Sequence, residues 1–280
     1  MMELLTVLLL TYNHEQTIGR AIESILAQKT RFPYVVHVLE DCSTDQTPAI
    51  CRQYKEKYPE QIELFLNPQN LGVMENFKQG LMRVRTPYFA FLEGDDYWCG
   101  EDKLQKQVDL LERHPDCSIC GHNVLCRDMI HQKEWYIVDK AKYEIKERYT
   151  IHDKIPIHPS SRVYRNIIDF STLPNFMVLD SHLLLLYLTQ GDLCYLDEVL
   201  SVYHITETGF WSGRTKKQKA LSALELRYKA NQYFQFKYDY RYYVHSKMLK
   251  LLKMLLGVRL GWFCFYHLEK QRIAIKYLFK

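Results

Sequence analysis

Residues 87–98 read PYFAFLEGDDYW, and this stretch joins an apolar run directly to a cluster of acidic side chains. The run over 87–92 predicts a buried strand, because it is short, rich in aromatic residues and free of charge. EGDD at 93–96 predicts a strand end where three carboxylates repel one another at short range. A divalent cation relieves that repulsion, and Mg²⁺ or Mn²⁺ suits oxygen ligands at this density. The alternative is an Asp-rich turn that caps the helix that follows.

Similar apolar runs precede this one, and segments with helical spacing separate them. The runs lie at 4–10, 34–40 and 61–66, and the helical segments at about 15–28, 45–57 and 74–84. In the first helical segment the apolar side chains share one face. Such alternation of strands and helices predicts an α/β fold with a Rossmann-like, mostly parallel sheet flanked by helices.

Polar residues follow each of the four predicted strands. They are TYN (11–13), EDCS (40–43), NPQN (67–70) and EGDD (93–96). Ligands of such sheets bind beyond the carboxyl ends of the strands, so we expect these four exits to form one binding site. Asp41 has two interpretations at this point. Its carboxylate accepts hydrogen bonds from a base or a ribose, or DCSTD marks the start of a helix.

Composition and charge describe a globular protein with a basic tail. The chain has 280 residues, of which 47% are hydrophobic and 25% charged, so it is long enough to bury a large core. Residues 214–280 carry 16 Lys/Arg and 3 Asp/Glu, whereas residues 1–213 carry 21 and 30. The tail interleaves these basic residues with aromatic ones. We expect it to lie on an anionic membrane surface or to pack on the remainder of the chain. We expect no nucleic-acid partner, because no groove-reading motif is present.

The amino-terminal apolar run and the cysteines bear on the location of the protein. The run at 4–10 is too short for a signal peptide, and no apolar stretch reaches the roughly 18 residues that span a bilayer. We therefore expect a cytoplasmic protein, with the inner face of the membrane as a further option. The eight cysteines show no disulfide framework and are expected to be reduced. Four residues suit zinc or, alternatively, a buried strand with packed thiols: Cys117, Cys120, His122 and Cys126.

The second half of the sequence has a mixed character. It predicts a helix at 103–113, strands near 117–126 and 134–138, and a helix at 180–190. The composition changes near residue 213, so we predict a first domain over 1–213 and a basic, mostly helical extension over 214–280. KMLKLLKMLLG (247–257) is the clearest helix of that extension.

Four segments of the first half together resemble the family 2 glycosyltransferases, which have the GT-A fold and include bacterial enzymes of capsule and lipopolysaccharide assembly. The segments are TYNHE (11–15), EDCSTDQT (40–47), NLGVMENFKQGL (70–81) and FLEGDDYW (91–98). The resemblance implies a metal ligand, Asp95, and a set of residues that bind the nucleotide sugar: Thr11, Tyr12, Asn13, Glu15, Asp41, Asn70, Glu93 and Asp96. Glu93 departs from the family, which usually has Asp there.

The resemblance is weaker in the second half. IHPSSRVYRN (157–166) is similar to the acceptor-side segment, and FMVLDSHLLLLYLTQGD (176–192) is similar to the segment with the catalytic base, which implies that Asp180 is the base. Asp180 also suits the N-cap of the helix that follows it. VYHITETGFWSG (202–213) resembles the closing motif, but His204 stands where Arg is usual and Thr206 where a metal-binding His is usual. His204 is therefore a second candidate metal ligand.

The resemblance thus implies an inverting, metal-dependent transfer with Mn²⁺ or Mg²⁺, from a nucleotide sugar, most simply a UDP-sugar. The acceptor is a saccharide, a lipid-linked molecule or a protein. The departures at Glu93 and Thr206 leave a non-catalytic nucleotide-sugar sensor or scaffold as the alternative. A dinucleotide-dependent oxidoreductase is disfavoured, because no Gly-x-Gly-x-x-Gly turn follows the first strand.

Overall fold

The computed structural model describes residues 2–142, 144–153, 157–178 and 180–206, together with residues 215, 218, 229 and 232–234. The chain divides into two compact units, Met1–Ile205 and Thr206–Lys280. The predicted boundary at 213/214 and the predicted helix at 247–257 lie outside the described residues and stay predictions. Among the helices of the described part, none combines the length and the apolar character needed to cross a bilayer.

The first unit contains strands and helices in alternation. The strands are β1 (Leu5–Thr11), β2 (Tyr34–Glu40), β3 (Ile62–Leu66), β4 (Tyr88–Glu93), β5 (Tyr97–Trp98), β6 (Cys117–Asp128), β7 (Lys133–Tyr136), β8 (Arg148–Tyr149), β9 (Val163–Arg165) and β10 (Asp192–Ile205). The α-helices are α1 (Ile18–Leu26), α2 (Thr47–Lys57), α3 (Val73–Arg83), α4 (Lys103–Arg113) and α5 (Asp180–Leu188). Short 3₁₀ turns lie at Pro159–Ser161, Phe170–Thr172 and Asn175–Val178.

The strands form one sheet in the order β3-β2-β1-β4-β9-β6-β10-β5, with β7 on β6 and β8 on β10. β1 pairs in parallel with β2 and β4, β2 with β3, and β6 with β10. β9 runs antiparallel to both β4 and β6, so β4 and β6 point the same way. The long strands therefore share one direction, and the shorter β5, β7, β8 and β9 oppose them. This architecture confirms the predicted mostly parallel α/β sheet.

Successive residues of the central strands point to opposite faces, and each face is covered by helices. Ala90 and Leu92 of β4 belong to the apolar core that includes side chains of α1 and α4. Phe91, on the other face, lies 4.6 Å from the ring of Phe77 in α3. A Cβ on Gly80 would lie 2.2 Å from Cδ1 of Leu39, so glycine allows α3 to approach β2 closely. Burial on both faces explains why these strands are apolar without alternation.

The sequence did not reveal β10, although β10 is the longest strand of the described residues. Its register with β6 shifts between Leu196 and Val199 and again between Val199 and Ser201. These irregularities leave Asp197 and Glu198 exposed in the middle of the strand. A bulge breaks the period of two on which strand prediction depends, so the pattern was hidden.

The four cysteine and histidine residues considered for zinc lie on β6, as the alternative interpretation predicted. Cys117, Cys120 and Cys126 are buried free thiols. Cys117 and Cys120 belong to the apolar core with Cys194 of β10. Nδ1 of His122 lies 2.7 Å from the carbonyl oxygen of Asn123. The thiols therefore act as small apolar core residues.

Two strand exits carry residues in the left-handed region of backbone conformation. Asn13 follows β1 with φ 55°, and Cys42 follows β2 with φ 60°. This conformation costs a non-glycine residue roughly 1–2 kcal/mol, and Asn tolerates it better than Cys. The backbone N–H of Cys42 donates to Oε2 of Glu40 at 3.2 Å, so the turn does not depend on the thiol.

We therefore predict that Cys42→Gly stabilises the fold, by about 0.5–1 kcal/mol after the entropic cost of glycine. Cys42→Val, which is β-branched, should destabilise it by about 1 kcal/mol or more. Urea unfolding followed by circular dichroism measures both changes. Equal unfolding midpoints for the two variants would contradict the strain.

Candidate active site

The carboxyl ends of the parallel strands meet at one edge and bring their exits together. The N–H of Asp41 donates to the carbonyl oxygen of Thr11 at 3.0 Å, and the N–H of Gly94 to that of Leu10 at 2.8 Å. These bonds continue the strand ladders past the ends of the strands. The expected convergence of the strand exits is therefore present.

Three carboxylates gather where β4 ends. Oxygen atoms of Glu93, Asp95 and Asp96 lie within 4.8 Å of one another, and the N–H of Asp96 closes the turn on the carbonyl oxygen of Glu93 at 3.0 Å. Oδ1 of Asp95 and Oδ2 of Asp96 are buried and have no hydrogen-bond partner. Buried oxygens without partners are costly, and a hard divalent cation satisfies them. The group therefore fits Mg²⁺ or Mn²⁺, with all three carboxylates as candidate ligands.

The pKa values of these carboxyls reflect the same crowding. Burial, followed by the charges of Asp95 and Asp180, raises the pKa of Glu93 to about 8. Burial, Asp95 and Glu93 raise the pKa of Asp96 well above its ordinary range. A bound cation acts in the opposite direction, because it favours the ionised carboxylates.

His204 lies against the backbone of this acidic turn. The backbone N–H of His204 donates to Oδ1 of Asp96 at 3.0 Å, and its ring Nδ1 lies 3.1 Å from the carbonyl oxygen of Asp95. Burial, followed by the charge of Arg20, lowers the pKa of the His204 ring below its ordinary value. If Nδ1 carries the proton, it donates to the backbone carbonyl oxygen of Asp95. The lone pair on Nε2 is then available to accept a bond. The group of mutually close ligand atoms does not include His204, whose role as a ligand stays a prediction.

The ring of His204 packs on Tyr97, which in turn packs on Arg20, and the sequence did not predict this stack. The ring of Tyr97 lies 5.5 Å from that of His204, and the guanidinium of Arg20 lies 4.5 Å above Tyr97. Nη2 of Arg20 is 3.3 Å from Nδ1 of His204. Arg20 comes from α1, far from the acidic turn in sequence, and no motif spacing connects the two. Only the fold could reveal this contact.

The first two strand exits bind each other through polar side chains. Oδ1 of Asn13 accepts the N–H of Thr44 at 2.8 Å, and Oε2 of Glu15 accepts that of Gln46 at 3.0 Å. Asn13 and Glu15, predicted to bind the donor, therefore hold the two loops together. Tyr12 is 42% exposed, so its ring is accessible to solvent at this edge, whereas Thr11 is buried.

Asp41 organises the third exit. Its Oδ1 accepts hydrogen bonds from Nδ2 of Asn67 (2.8 Å) and N–H of Leu71 (2.9 Å), and its Oδ2 accepts one from N–H of Gly72 (2.9 Å). Nδ2 of Asn70 donates to the carbonyl oxygen of Asp41 at 3.0 Å. Two carboxylate oxygens offer about four acceptor positions, so Asp41 keeps about one for a ligand. Its role toward the nucleoside stays a prediction.

Helix α2 begins beside Asp45 rather than Asp41. Oδ1 of Asp45 accepts the N–H of Thr47 at 2.9 Å, while its Oδ2 accepts that of Glu15 at 3.0 Å. The helix-start signal in DCSTD therefore belongs to the second Asp of that segment.

Asp180 is exposed at the first position of α5. Its Oδ1 accepts the N–H of the next residue, Ser181, at 2.6 Å, which is a bond within the first turn and not the predicted N-cap bond to a residue two or three positions on. Its charge contributes, after burial and the charge of Asp95, to the raised pKa of Glu93. The buried Arg162 donates from Nη1 to the carbonyl oxygen of Asp180 at 2.6 Å and thereby fixes the start of the helix. An accessible carboxylate at this place has the chemistry of a base, and that role stays a prediction.

Comparison with known proteins identifies relatives of this chain. A family model described as glycosyl transferase family 2 matches residues 6–169. An uncharacterized protein of Mycobacterium tuberculosis is 33% identical over 219 residues, which are 77% of this chain and 63% of the relative. TuaG of Bacillus subtilis, described as a teichuronic acid biosynthesis glycosyltransferase, is 32% identical over 145 residues, 49% of this chain and 56% of TuaG. The chain thus spans less than two thirds of the length of these relatives.

Solved structures share the fold at low sequence identity. Staphylococcus aureus TarS 1–349 in complex with UDP-GlcNAc superposes with a TM-score of 0.62 at 17% identity, over 91% of this chain and 72% of that one. The Pyrobaculum calidifontis mannosyltransferase PcManGT, in complex with GDP-Man and Mn²⁺, gives 0.62 at 18% identity, over 82% and 64%. These likenesses confirm the predicted GT-A fold.

Gly94 seats the acidic turn on the first strand exit, which gives a test of the cation site. A Cβ at Gly94 would lie 2.6 Å from Nδ1 of His14 and 2.9 Å from Oγ1 of Thr11. We predict that Gly94→Ala displaces the turn and weakens Mn²⁺ binding about tenfold, or ~1.4 kcal/mol, measured by calorimetry on the full chain. Gly19→Ala is the control, because its nearest neighbour, the hydroxyl of Tyr54, would be 3.4 Å away. Unchanged affinity in a folded Gly94→Ala protein would contradict the site.

Proposed function

Because the chain belongs to glycosyl transferase family 2, we propose that it transfers a sugar from a nucleotide sugar, a UDP-sugar, to an acceptor with inversion at the anomeric carbon. The observation that carries this proposal is the group formed by Glu93, Asp95 and Asp96, with two buried carboxylate oxygens that lack partners. The carboxylate of Asp180 is exposed, and its charge contributes to the raised pKa of Glu93. One end of the site is thus suited to a cation and the other to a proton acceptor.

Asp95 and Asp96 would hold Mn²⁺ or Mg²⁺ through the unpartnered oxygens, with Glu93 as a further ligand or as an acceptor for a ribose hydroxyl. When bound, the cation neutralises the negative charge of the diphosphate that leaves. The protein fixes the carboxylates beforehand, through the turn between Glu93 and Asp96 and through the N–H of His204. This preorganisation lowers the cost of binding the donor.

The nucleoside would lie over the first three strand exits. Tyr12 offers an exposed ring on which a base can stack, and Asp41 offers its remaining acceptor position to the base or ribose. Thr11, Asn13, Glu15 and Asn70 act by shaping this floor, since their polar atoms are bonded within the loops. The complexes of TarS with UDP-GlcNAc and of PcManGT with GDP-Man support a nucleotide sugar as donor.

Asp180 would remove the proton of the acceptor hydroxyl while its oxygen attacks the anomeric carbon. Inversion requires a base on the acceptor side of the sugar, opposite the leaving diphosphate. The bonds to Ser181 and Arg162 hold the start of α5, and the carboxylate stays exposed to solvent. The acceptor oxygen thus gains one bond to carbon as the sugar–phosphate bond breaks.

The descriptions of two relatives support an acceptor in cell-envelope polymer assembly. TuaG is described as acting in teichuronic acid biosynthesis, and GgaB of the same bacterium in minor teichoic acid biosynthesis. A saccharide or a lipid-linked saccharide is therefore the acceptor class that we favour over a protein. A cytoplasmic location at the inner face of the membrane, with the basic segment 214–280 on anionic lipid, fits such an acceptor.

We predict that Asp180→Asn lowers the rate of transfer by roughly 10²–10⁴-fold and leaves nucleotide binding unchanged, because only the proton acceptor is lost. Turnover of the donor and calorimetric titration with UDP measure the two effects. Asp169→Asn is a matched control, since Oδ1 of Asp169 likewise accepts a backbone N–H, that of Ser171, at the start of a helical turn. Full transfer activity in Asp180→Asn would remove it as the base.

A thermal-shift screen of nucleotide sugars separates the enzyme from the sensor or scaffold. A ligand of the folded state adds about 2.7 kcal/mol of stability at a hundred times its Kd, so we expect a melting temperature raised by a UDP-sugar with Mn²⁺. Asp95→Ala should abolish both the metal-dependent shift and transfer. A shift in the unaltered chain without transfer to any acceptor or to water would favour the sensor.

A further inference from the structure

The histidine that precedes the 3₁₀ turn Pro159–Ser161 caps this turn with its side chain. Nδ1 of His158 accepts the backbone N–H of Ser160 at 3.3 Å and lies 2.8 Å from the hydroxyl oxygen of the same residue. The carbonyl oxygen of His158 accepts the N–H of Ser161 at 3.1 Å and its hydroxyl at 2.7 Å. Both serines are buried, so these contacts fix the side chain and the main chain of His158 in place.

The bond from Ser160 also fixes the nitrogen on which the ring carries its proton. A nitrogen that accepts an N–H keeps its lone pair, so the ring of His158 is neutral and its proton is on Nε2. Burial, followed by the charge of Arg162, lowers the pKa of His158 to about 3, which agrees with a neutral ring. Within the part of the chain that the structure describes, no group bonds Nε2, and Nε2 is not enclosed, unlike that of His122. The half-buried ring therefore presents one N–H donor to a ligand.

Tyr203 of β10 connects His158 to the acidic group. The two rings lie 4.3 Å apart, with 31° between their planes. The peptide group that joins Tyr203 to His204 donates its N–H to Oδ1 of Asp96 at 3.0 Å. Because β9 runs antiparallel to β4, the turn before β9 also lies at the carboxyl end of β4. His158 therefore lies beside the place where a cation and the diphosphate of a donor would bind.

The buried side chain of Arg162 connects the same histidine to the start of α5. Nη2 of Arg162 donates to the carbonyl oxygen of Ile157 at 3.1 Å, and Nη1 donates to that of Asp180 at 2.6 Å. Ile157 immediately precedes His158, so one guanidinium bonds the main chain beside His158 and the first residue of α5. Hydrogen bonds from a charged group are strong, and they hold these two segments together. His158 is thus joined on one side to the acidic group and on the other to the candidate base.

We propose that Nε2–H of His158 donates a hydrogen bond to a hydroxyl oxygen of the transferred sugar. The inference rests on the proposed function, because a donor whose diphosphate lies at the acidic group has its sugar next to that group. The ring of His158 packs directly on Tyr203, whereas its link to Asp180 runs through the main chain, and this favours the transferred sugar over the acceptor. An N–H that is already fixed before the sugar arrives loses little entropy on binding.

The position of the proton excludes other roles for this ring. A ligand of a divalent cation and a general base both need a free lone pair, and the lone pair of Nδ1 already accepts the N–H of Ser160. A neutral ring makes no ion pair with a diphosphate, unlike the side chain of Arg or Lys. A hydroxyl group accepts as well as donates, so a single neutral N–H suits it.

Two substitutions separate this hydrogen-bond donor from the cap of the turn. In His158→Gln the amide nitrogen reaches the position of Nε2 and keeps an N–H there, but the cap on Ser160 is lost. In His158→Asn the amide oxygen takes the position of Nδ1 and keeps the cap, but nothing replaces Nε2–H. Both variants lose the ring that packs on Tyr203, so the effect of that loss is common to the two.

The test is calorimetry on the full chain with Mn²⁺, titrated with UDP and with UDP-glucose, UDP-galactose and UDP-N-acetylglucosamine. We expect His158→Asn to weaken binding of the preferred UDP-sugar about tenfold, the size of one hydrogen bond, and to leave binding of UDP unchanged. His158→Gln should keep most of the affinity for the UDP-sugar, while its melting temperature falls because the cap is lost. Hydrolysis of the UDP-sugar by water should be slower in His158→Asn than in His158→Gln.

Several outcomes overturn this role of His158. If His158→Gln is impaired and His158→Asn is not, the histidine only caps the turn. If His158→Asn weakens UDP as much as the UDP-sugar, the effect does not concern the sugar, and normal binding with slower transfer assigns the N–H to the acceptor. If the unaltered chain turns over a UDP-sugar and both variants match it, only the role of His158 is wrong. If the unaltered chain binds neither UDP nor any of the UDP-sugars, the proposed function fails and this inference fails with it.

Discussion

Mutual repulsion of three carboxylates is the constraint on which this site depends. Oxygen atoms of Glu93, Asp95 and Asp96 lie within 4.8 Å of one another. Among the described residues, the backbone N–H of His204 donates a hydrogen bond to this group, at Oδ1 of Asp96. Unpaired like charges at this range would separate if the chain were free to move. The turn is instead held by backbone hydrogen bonds and by the close packing of Gly94 against Thr11 and His14. The buried carboxylate oxygens that lack partners therefore fit a divalent cation.

Polar side chains at the first three strand exits, where the nucleotide sugar would bind, are mostly bonded within the protein. Asn13, Glu15 and Asp41 were predicted to touch the donor, and their polar atoms are largely bonded to the neighbouring loops. Three loops that bond one another form a rigid floor, which a ligand does not have to order. The groups left accessible are few, and they include the ring of Tyr12 and the carboxylate of Asp180. Asn13, Glu15 and Asp41 thus hold these loops together, and their contact with the donor stays a prediction.

The sequence predicted the parallel half of the sheet and the acidic edge, because both depend on local patterns. Apolar runs buried on two faces identify strands without reference to the remainder of the chain, and the polar exits follow from where those runs end. β10 was missed because bulges near Val199 interrupt its period. The stack of Arg20, Tyr97 and His204 was missed because it joins segments from both ends of the first unit. Contacts between distant segments leave no periodic signal in either one.

The crowded carboxyl groups at the end of β4 also make the stability of the fold depend on pH. The folded chain raises the pKa of Glu93 from 4.5 to about 8, so between these values the folded state keeps a proton that the unfolded chain releases. Stability contributed by this group is therefore present below pH 4.5 and is lost as pH rises toward 8. At neutral pH the acidic group opposes folding unless a proton or a cation occupies it. Burial of the apolar core around β1 and β4, on both faces of the sheet, offsets the unfavourable free energy of the crowded carboxyl groups. The fold can therefore hold these groups close together without a bound cation.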